Sequence, residues 1–232
     1  MKIALLGYGK MGKMAEKTAV QRGHAVVKRI RSGGGDTDVS GADVAIEFSV
    51  PSAAFNNISL CLEQGVPVVS GTTGWLEEYD KAVALCRQKK GALLYASNFS
   101  LGVNLFFRLN ARLAEMMRGF PHYEAAIEEV HHTQKRDAPS GTAITLAETV
   151  IANSAKTRWV LHGTAEGAVS VEAKRIAGVT GMHTVRYTGP HDTVLIQHTA
   201  HNREGFALGA LMAAEWIVGK KGVYTMDDVL NL

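Results

Sequence analysis

Cysteine is scarce in this chain, with Cys61 and Cys86 the two examples among 232 residues. Both fall inside helix-like segments without metal-ligand spacing, which excludes a disulfide framework or a thiolate zinc site and leaves packed, reduced thiols. Net charge is equally slight at +3. That is too little to mark a nucleic-acid binder, whereas a few clustered cations suit a small anionic ligand. No apolar run approaches the roughly 20 residues that a membrane-spanning helix needs. Nothing at the N-terminus resembles a signal peptide, because Met1-Lys2 runs straight into an apolar strand. A cytoplasmic protein is expected, with no membrane and no nucleic-acid partner. What remains is ordinary globular material, 46% hydrophobic and 20% charged, with no internal repeat.

The chain opens on Ile3–Leu6 and then Gly7-Tyr8-Gly9-Lys10-Met11-Gly12. Met11, Met14, Ala15, Thr18 and Ala19 follow at helical spacing up to Gly23, and Ala25-Val26-Val27 begins a second strand that ends near Ile30. Strand, G-x-G-x-x-G, helix and strand in that order form a dinucleotide-binding context. Gly7 makes the tight turn, Gly9 lets the backbone approach a pyrophosphate, and Gly12 lets the helix close on the strand. An acid at the end of the second strand would favour NAD through the ribose hydroxyl. Here stand Lys28, Arg29, Arg31 and Ser32, with no acid before Asp36. Cations with a hydroxyl suit a 2′-phosphate, so the sequence favours NADPH over NADH.

Three further strands are expected at 44–48, 66–70 and 92–95, separated by helices from Pro51 to Gly65 and from Leu76 to Lys89. Gly71, Thr72 and Thr73 leave the carboxyl end of the fourth strand, and Ala96, Ser97, Asn98 and Phe99 leave the fifth. Ligands of open α/β sheets lie beyond such ends, which places both segments on the cofactor, Gly71–Thr73 at its nicotinamide half. After Ser100 the pattern changes. A long amphipathic helix (Val103–Met117) leads to strands without regular crossovers, while 153–168 has no clear period and reads as loop. A helix over 204–218 precedes a short tail that docks. The predicted fold is α/β: an N-terminal Rossmann-type doubly wound parallel sheet, with a second, smaller α+β domain carrying an open mixed sheet. The dinucleotide-binding domain is expected over 1–100 plus 203–232, and a substrate-binding and oligomerisation domain over 101–202.

The densest chemistry lies in Glu128-Glu129-Val130-His131-His132-Thr133-Gln134-Lys135-Arg136-Asp137-Ala138-Pro139-Ser140-Gly141-Thr142. Imidazole titrates near neutrality and a desolvated ammonium can be brought there, so His131 and Lys135 can transfer protons. Ser140, Gly141 and Thr142 open the helical run Ile144–Ile151. Their free backbone N–H groups and hydroxyls form a carboxylate or phosphate site. Glu128, Glu129, His131 and His132 could ligate a metal, but a strand places only alternate residues on one face and no H-E-x-x-H is present. No metal is expected.

Four blocks now resemble the 4-hydroxy-tetrahydrodipicolinate (dihydrodipicolinate) reductase family: Gly7–Gly12, Gly71–Gly74, Asn98–Asn104 and His131–Ala143. The last includes Asp137-Ala138-Pro139-Ser140-Gly141-Thr142-Ala143 without a change. A weaker tail match takes in Arg175, Gly181, His183, His198, Arg203, Phe206 and Gly209. The resemblance implies a homotetrameric reductase of the diaminopimelate and lysine pathway using NADH or NADPH on a small dicarboxylate. It makes His131 the acid–base histidine, Lys135 the proton donor, His132 a substrate contact, Gly141 and Thr142 the carboxylate-binding pair and Arg203 a cofactor contact. The chain is short for that family between Arg31 and Val44, and Arg31 replaces the usual acid after the second strand. Another imine or amino-acid reductase of the same layout would lack the Asp-Ala-Pro-Ser-Gly-Thr run. A non-catalytic NADP-binding sensor would lack either the proton donors or the anion-binding turn.

Overall fold

The apolar run at the start forms strand β1 (Lys2–Leu6), buried throughout after Lys2. Burial on both faces marks an interior strand of a parallel sheet. It pairs in parallel with β2 (Ala25–Ile30) on one side and β3 (Val44–Glu47) on the other, and α1 (Lys10–Gln21) joins β1 to β2. Helix α2 (Pro51–Glu63) starts at a proline, whose missing N–H costs nothing in a first turn. It leads to β4 (Val68–Ser70), then α3 (Tyr79–Gln88) leads to β5 (Ala92–Tyr95), both strands parallel to β3. This computed structural model describes residues 1–31 and 38–231, which divide into two units, Met1–Leu101 with Glu204–Leu232 and Gly102–Arg203.

The second unit begins within α4 (Leu101–Met117). Strand β6 (Glu124–His131), helix α5 (Gly141–Ala152) and strands β7 (Arg158–Leu161), β8 (Ala168–Arg175), β9 (Gly181–Thr188) and β10 (Thr193–Ala200) follow. The sheet order is β10-β9-β6-β8-β7, with antiparallel pairs through β9 and parallel pairs through β8. Leu146, Ala147 and Val150 of α5 pack with Phe106, Ile127, Val169, Val171 and Val185 on one face. The edge strand β10 exposes Val194 and Leu195, the latter by 54%.

The chain then returns to the first unit through α6 (Glu204–Ile217), β11 (Gly222–Tyr224) and α7 (Met226–Leu230). The completed parallel sheet runs β11-β5-β4-β3-β1-β2. Residues of α1 and α6 build the core on one face, and those of α2 and α3 build it on the other. The doubly wound parallel sheet and the mixed second sheet match the expected fold class.

Two expectations need correction. The region read as loop, 153–168, contains β7, a short edge strand in which every residue keeps some exposure, so no alternation marks it. Between the expected helix end at Gly222 and the start of the docking tail at Tyr224 lies β11, which adds a sixth parallel strand beside β5. At three residues it is shorter than any window in which periodicity can be read.

Candidate active site

The first unit carries an open cleft of about 460 Å³ lined by the turn after β1 (Gly9, Lys10, Met11), the turn after β3 (Phe48, Ser49, Pro51) and the turn after β4 (Gly71, Thr72, Thr73). The sheet order reverses direction between β1 and β3, so the cleft sits at the switch point where doubly wound sheets bind ligands. Gly7 has φ +91°, and a Cβ there would fall 2.0 Å from the Phe48 carbonyl oxygen. A Cβ on Gly12 would fall 2.2 Å from the Gly7 carbonyl oxygen, so both glycines are required by packing. At Gly9 a Cβ would meet nothing within 4 Å and would project into open space. Gly9 precedes α1 with no side-chain cap, and the first turn of that helix carries no acid. Uncapped N–H groups and a positive helix end suit a pyrophosphate.

At the end of β2 the cations are divided. Lys28 pairs with Asp38 at 2.9 Å, and Arg29 binds Glu16, which also takes the Tyr8 hydroxyl. Arg31 lies over the Tyr8 ring, 5.4 Å from its centroid, and has no carboxylate partner among the described residues. Among the described cations at the end of β2, it is the one without a carboxylate, and it lies beside the glycine turn. Ser32, assigned with it to the 2′-phosphate, lies outside the described residues.

In the second unit β6 carries His131 to its end, and the fully buried Glu129 occupies the same strand face. Both Glu129 oxygens accept the Ser140 amide at 3.1 Å, and Oε1 accepts Arg175 Nη2 at 3.1 Å. His131 Nδ1 stands 3.3 Å from Glu129 Oε2, within ion-pair reach although not aligned as a hydrogen bond. His183 Nε2 stands 3.7 Å from the same oxygen and 3.1 Å from Ser140 Oγ. Burial pushes the Glu129 carboxyl up, but the two imidazoles and the Ser140 amide outweigh it and hold the group well below the usual carboxylate range. Burial lowers His183, against the opposing pull of Glu129.

Arg175 ties the loop after β6 to the end of β8. Its Nη2 donates to the Asp137 carbonyl at 2.6 Å and its Nε to the Lys135 carbonyl at 3.3 Å. Lys135 Nζ lies 2.8 and 3.0 Å from the Asp137 carboxylate oxygens. That carboxyl is lowered first by Lys135. Ser140 caps α5, accepting from the Ala143 amide at 3.2 Å. Its hydroxyl and amide are thus spent inside the protein. The Gly141 and Thr142 amides have no acceptor among the described residues, and a Cβ on Gly141 would meet nothing within 4 Å. An anion can sit against them without obstruction. His132 is half-buried, and Lys135 turns back to donate its amide to the His132 carbonyl at 3.1 Å.

Sequence-assigned residues therefore gather in both units. Gly9, Lys10, Met11, Gly71, Thr72 and Thr73 line the cleft. Gly7 and Gly12 shape it from behind, and Phe99 stands edge-on to Phe48 at 5.9 Å. The Ala96 amide donates to the Ser70 carbonyl at 3.2 Å, and the Asn98 side chain takes the Ser100 amide at 2.9 Å. None of Ala96, Ser97, Asn98 and Phe99 lines the cleft, and Arg203 is exposed just before α6. Phe48, Ser49 and Pro51 were missed, although the strand-end rule applied to β4 and β5 holds equally for β3. Glu129 had been weighed only as a metal ligand. It does share a cluster with His131 and His183 whose ligand atoms lie within 4.8 Å of one another. Its oxygens already hold a guanidinium and an amide, an arrangement that fits a proton-handling site better than a divalent cation.

The fold defines the class first. Over 97% of both chains, the structure superposes with a TM-score of 0.76 on dipicolinate-bound dihydrodipicolinate reductase from Paenisporosarcina sp. TG-14, at 21% identity. An amine dehydrogenase from Mycobacterium smegmatis gives 0.62 at 10% identity, covering 98% of this chain and 95% of the other. Both likenesses are of fold, a doubly wound parallel sheet with a second unit carrying a mixed sheet. Sequence then narrows it. The family models for the dihydrodipicolinate reductase N-terminus and C-terminus match residues 1–99 and 102–230. A 4-hydroxy-tetrahydrodipicolinate reductase from Christiangramia forsetii is 50% identical across 100% of this chain and 98% of its own length. Another from Archaeoglobus fulgidus is 37% identical over all of both. The chain belongs to the dihydrodipicolinate reductase family, and is an NAD(P)H-dependent oxidoreductase.

Proposed function

We propose that this enzyme reduces 4-hydroxy-tetrahydrodipicolinate (dihydrodipicolinate) to tetrahydrodipicolinate in diaminopimelate and lysine biosynthesis, with NADPH favoured over NADH. The observation that carries the site assignment is that one short loop, which carries Lys135, joins His131 at the end of β6 to the Gly141 and Thr142 amides at the start of α5, which have no acceptor among the described residues. One substrate carboxylate binds those amides and the Thr142 hydroxyl, where the positive end of α5 adds attraction. His132 contacts the same substrate.

Net reduction adds one hydride and one proton, and from the 4-hydroxy compound the hydroxyl leaves as water. A nicotinamide held in the cleft would supply the hydride. His131 and Lys135 deliver the proton and hold positive charge near the carboxylates as electrons enter the ring. Glu129 stands beneath His131, and Arg175 fixes the carbonyls on either side of Arg136 so that Lys135 stays in place. Gly7–Gly12 and Gly71–Thr73 hold the cofactor, with Ala96–Phe99 and Arg203 as further contacts. Arg31 with Ser32 receives the 2′-phosphate, and the lack of a carboxylate partner for Arg31 among the described residues supports that preference. The exposed apolar side chains of β10 support assembly of the open sheet into a homotetramer. A cytoplasmic location fits this chemistry.

The test is oxidation of NADPH and of NADH by the purified protein, with substrate generated in place from pyruvate and aspartate semialdehyde by the preceding synthase. Substrate-dependent oxidation with a higher kcat/KM for NADPH is expected, and Arg31→Ala should narrow the ratio. Cofactor binding without substrate-dependent oxidation would point to another imine substrate.

A further inference from the structure

Glu47 ends β3 beside the nucleotide cleft and is completely buried. Its Oε1 accepts the Ser49 amide at 3.0 Å and the Thr72 hydroxyl at 2.9 Å, together with the Ser49 hydroxyl. Its Oε2 accepts the Ser70 hydroxyl at 2.7 Å, and Asn57 Nδ2 lies 3.5 Å from Oε1. Thr72 Oγ1 takes the Ser49 amide at 2.8 Å, which leaves its own proton for Glu47. Converging donors of this kind suit an acceptor-only carboxylate. Every donor is neutral, and among the described residues no cation pairs with Glu47. Buried carboxylates are ordinarily matched by a positive charge or a metal. Ser49 and Thr72, which Glu47 ties together, both line the cleft.

We infer that Glu47 is a positioning residue for the cofactor. It locks the turns after β3 and β4, and its unmatched charge biases the cleft toward the oxidised form, whose ring is cationic, over the neutral reduced form. The inference rests on the cleft being the dinucleotide site. The same attraction grows as the hydride departs with its electron pair, so it favours reduction of substrate.

The test compares dissociation constants for NADP⁺ and NADPH in full-length wild type and Glu47→Gln, read by binding titration without substrate. Glutamine keeps an oxygen for Ser49 and Thr72, while its amide can donate to Ser70, whose hydroxyl rotates to accept. The expected result is that NADP⁺ weakens relative to NADPH by about tenfold or more, since unit charges within about 12 Å attract by at least about 1.4 kcal/mol at an effective dielectric of about 20. Ser70→Ala keeps the charge but removes a donor that shields it, and should move the ratio the opposite way. It serves equally if Glu47→Gln does not fold. Equal changes in both constants, or a ratio unmoved in the variants that fold, would reduce Glu47 to a structural tie and overturn the inference. A wild type that binds neither form would instead overturn the reading of the cleft.

Discussion

Glu129→Gln removes one charge from the centre of the second unit and has a calculable result. With its oxygen in the Oε1 place, glutamine keeps the Ser140 amide and Arg175, both at 3.1 Å from Oε1. Its NH₂ then points at His131 Nδ1, 3.3 Å from Oε2 in the native site. That nitrogen can accept only when bare, so the variant favours the Nε2–H tautomer of His131. Arg175 is not stranded, because the carbonyls of Lys135 and Asp137 still accept from it. The stability cost is therefore that of weakened charge-assisted hydrogen bonds, about 1–3 kcal/mol, rather than the about 3–5 kcal/mol of a fully broken buried pair. For a chain of 232 residues each kcal/mol lowers Tm by about 2–4 °C, giving a fall of about 2–12 °C. An enforced wrong tautomer in a serine protease triad lowers kcat by about 10⁴, and a loss here of about 10²–10⁴ is expected on the same ground. Calorimetry and steady-state kinetics read the two effects, while NADPH affinity stays near wild type because the cleft residues all lie in the other unit. Wild-type kcat alongside a lowered Tm would refute the coupling of Glu129 to His131.

Gly141→Ala should fold at least as well as wild type, since the added methyl meets open space and alanine favours helix. Its KM for substrate should rise at least tenfold if a carboxylate closes on that amide; unchanged KM would remove Gly141 from the site. Acid stability follows from the buried imidazoles. Burial lowers both His183 and His198 below their ordinary 6.5, so below that pH the unfolded chain binds more protons than the folded one. Their contribution is present above pH 6.5 and is lost as pH falls through the folded values. Glu129, held low, adds a second loss below its ordinary 4.5. Melting curves between pH 8 and 5 should therefore show Tm level at first and declining below about 6.5; a Tm that rises on acidification would contradict the assignment.

Much of the first unit was legible because its signals are local. Gly7, Gly9 and Gly12 follow an apolar strand, and packing then requires Gly7 and Gly12 while leaving Gly9 open. Strand β7 escaped because an edge strand pairs on one side and buries neither face, and β11 because three residues carry no period. In the second unit, His131, Lys135, Gly141 and Thr142 stand close together in sequence, so one reading finds them all. What holds them does not. Glu129 and Arg175 are 46 residues apart and meet through the parallel pairing of β6 with β8. His183 arrives from β9 by the antiparallel pairing on the other side. Such contacts belong to register, which a linear pattern does not carry.

The most direct measurement is kcat for Lys135→Ala beside its NADPH dissociation constant. Lys135 makes its ion pair with the exposed Asp137 side chain, and exposed pairs contribute about 0–1 kcal/mol, so the fold should survive. The account predicts a kcat lower by several orders of magnitude with NADPH affinity and Tm near wild type. Turnover close to wild type would contradict the assignment of Lys135 to proton delivery.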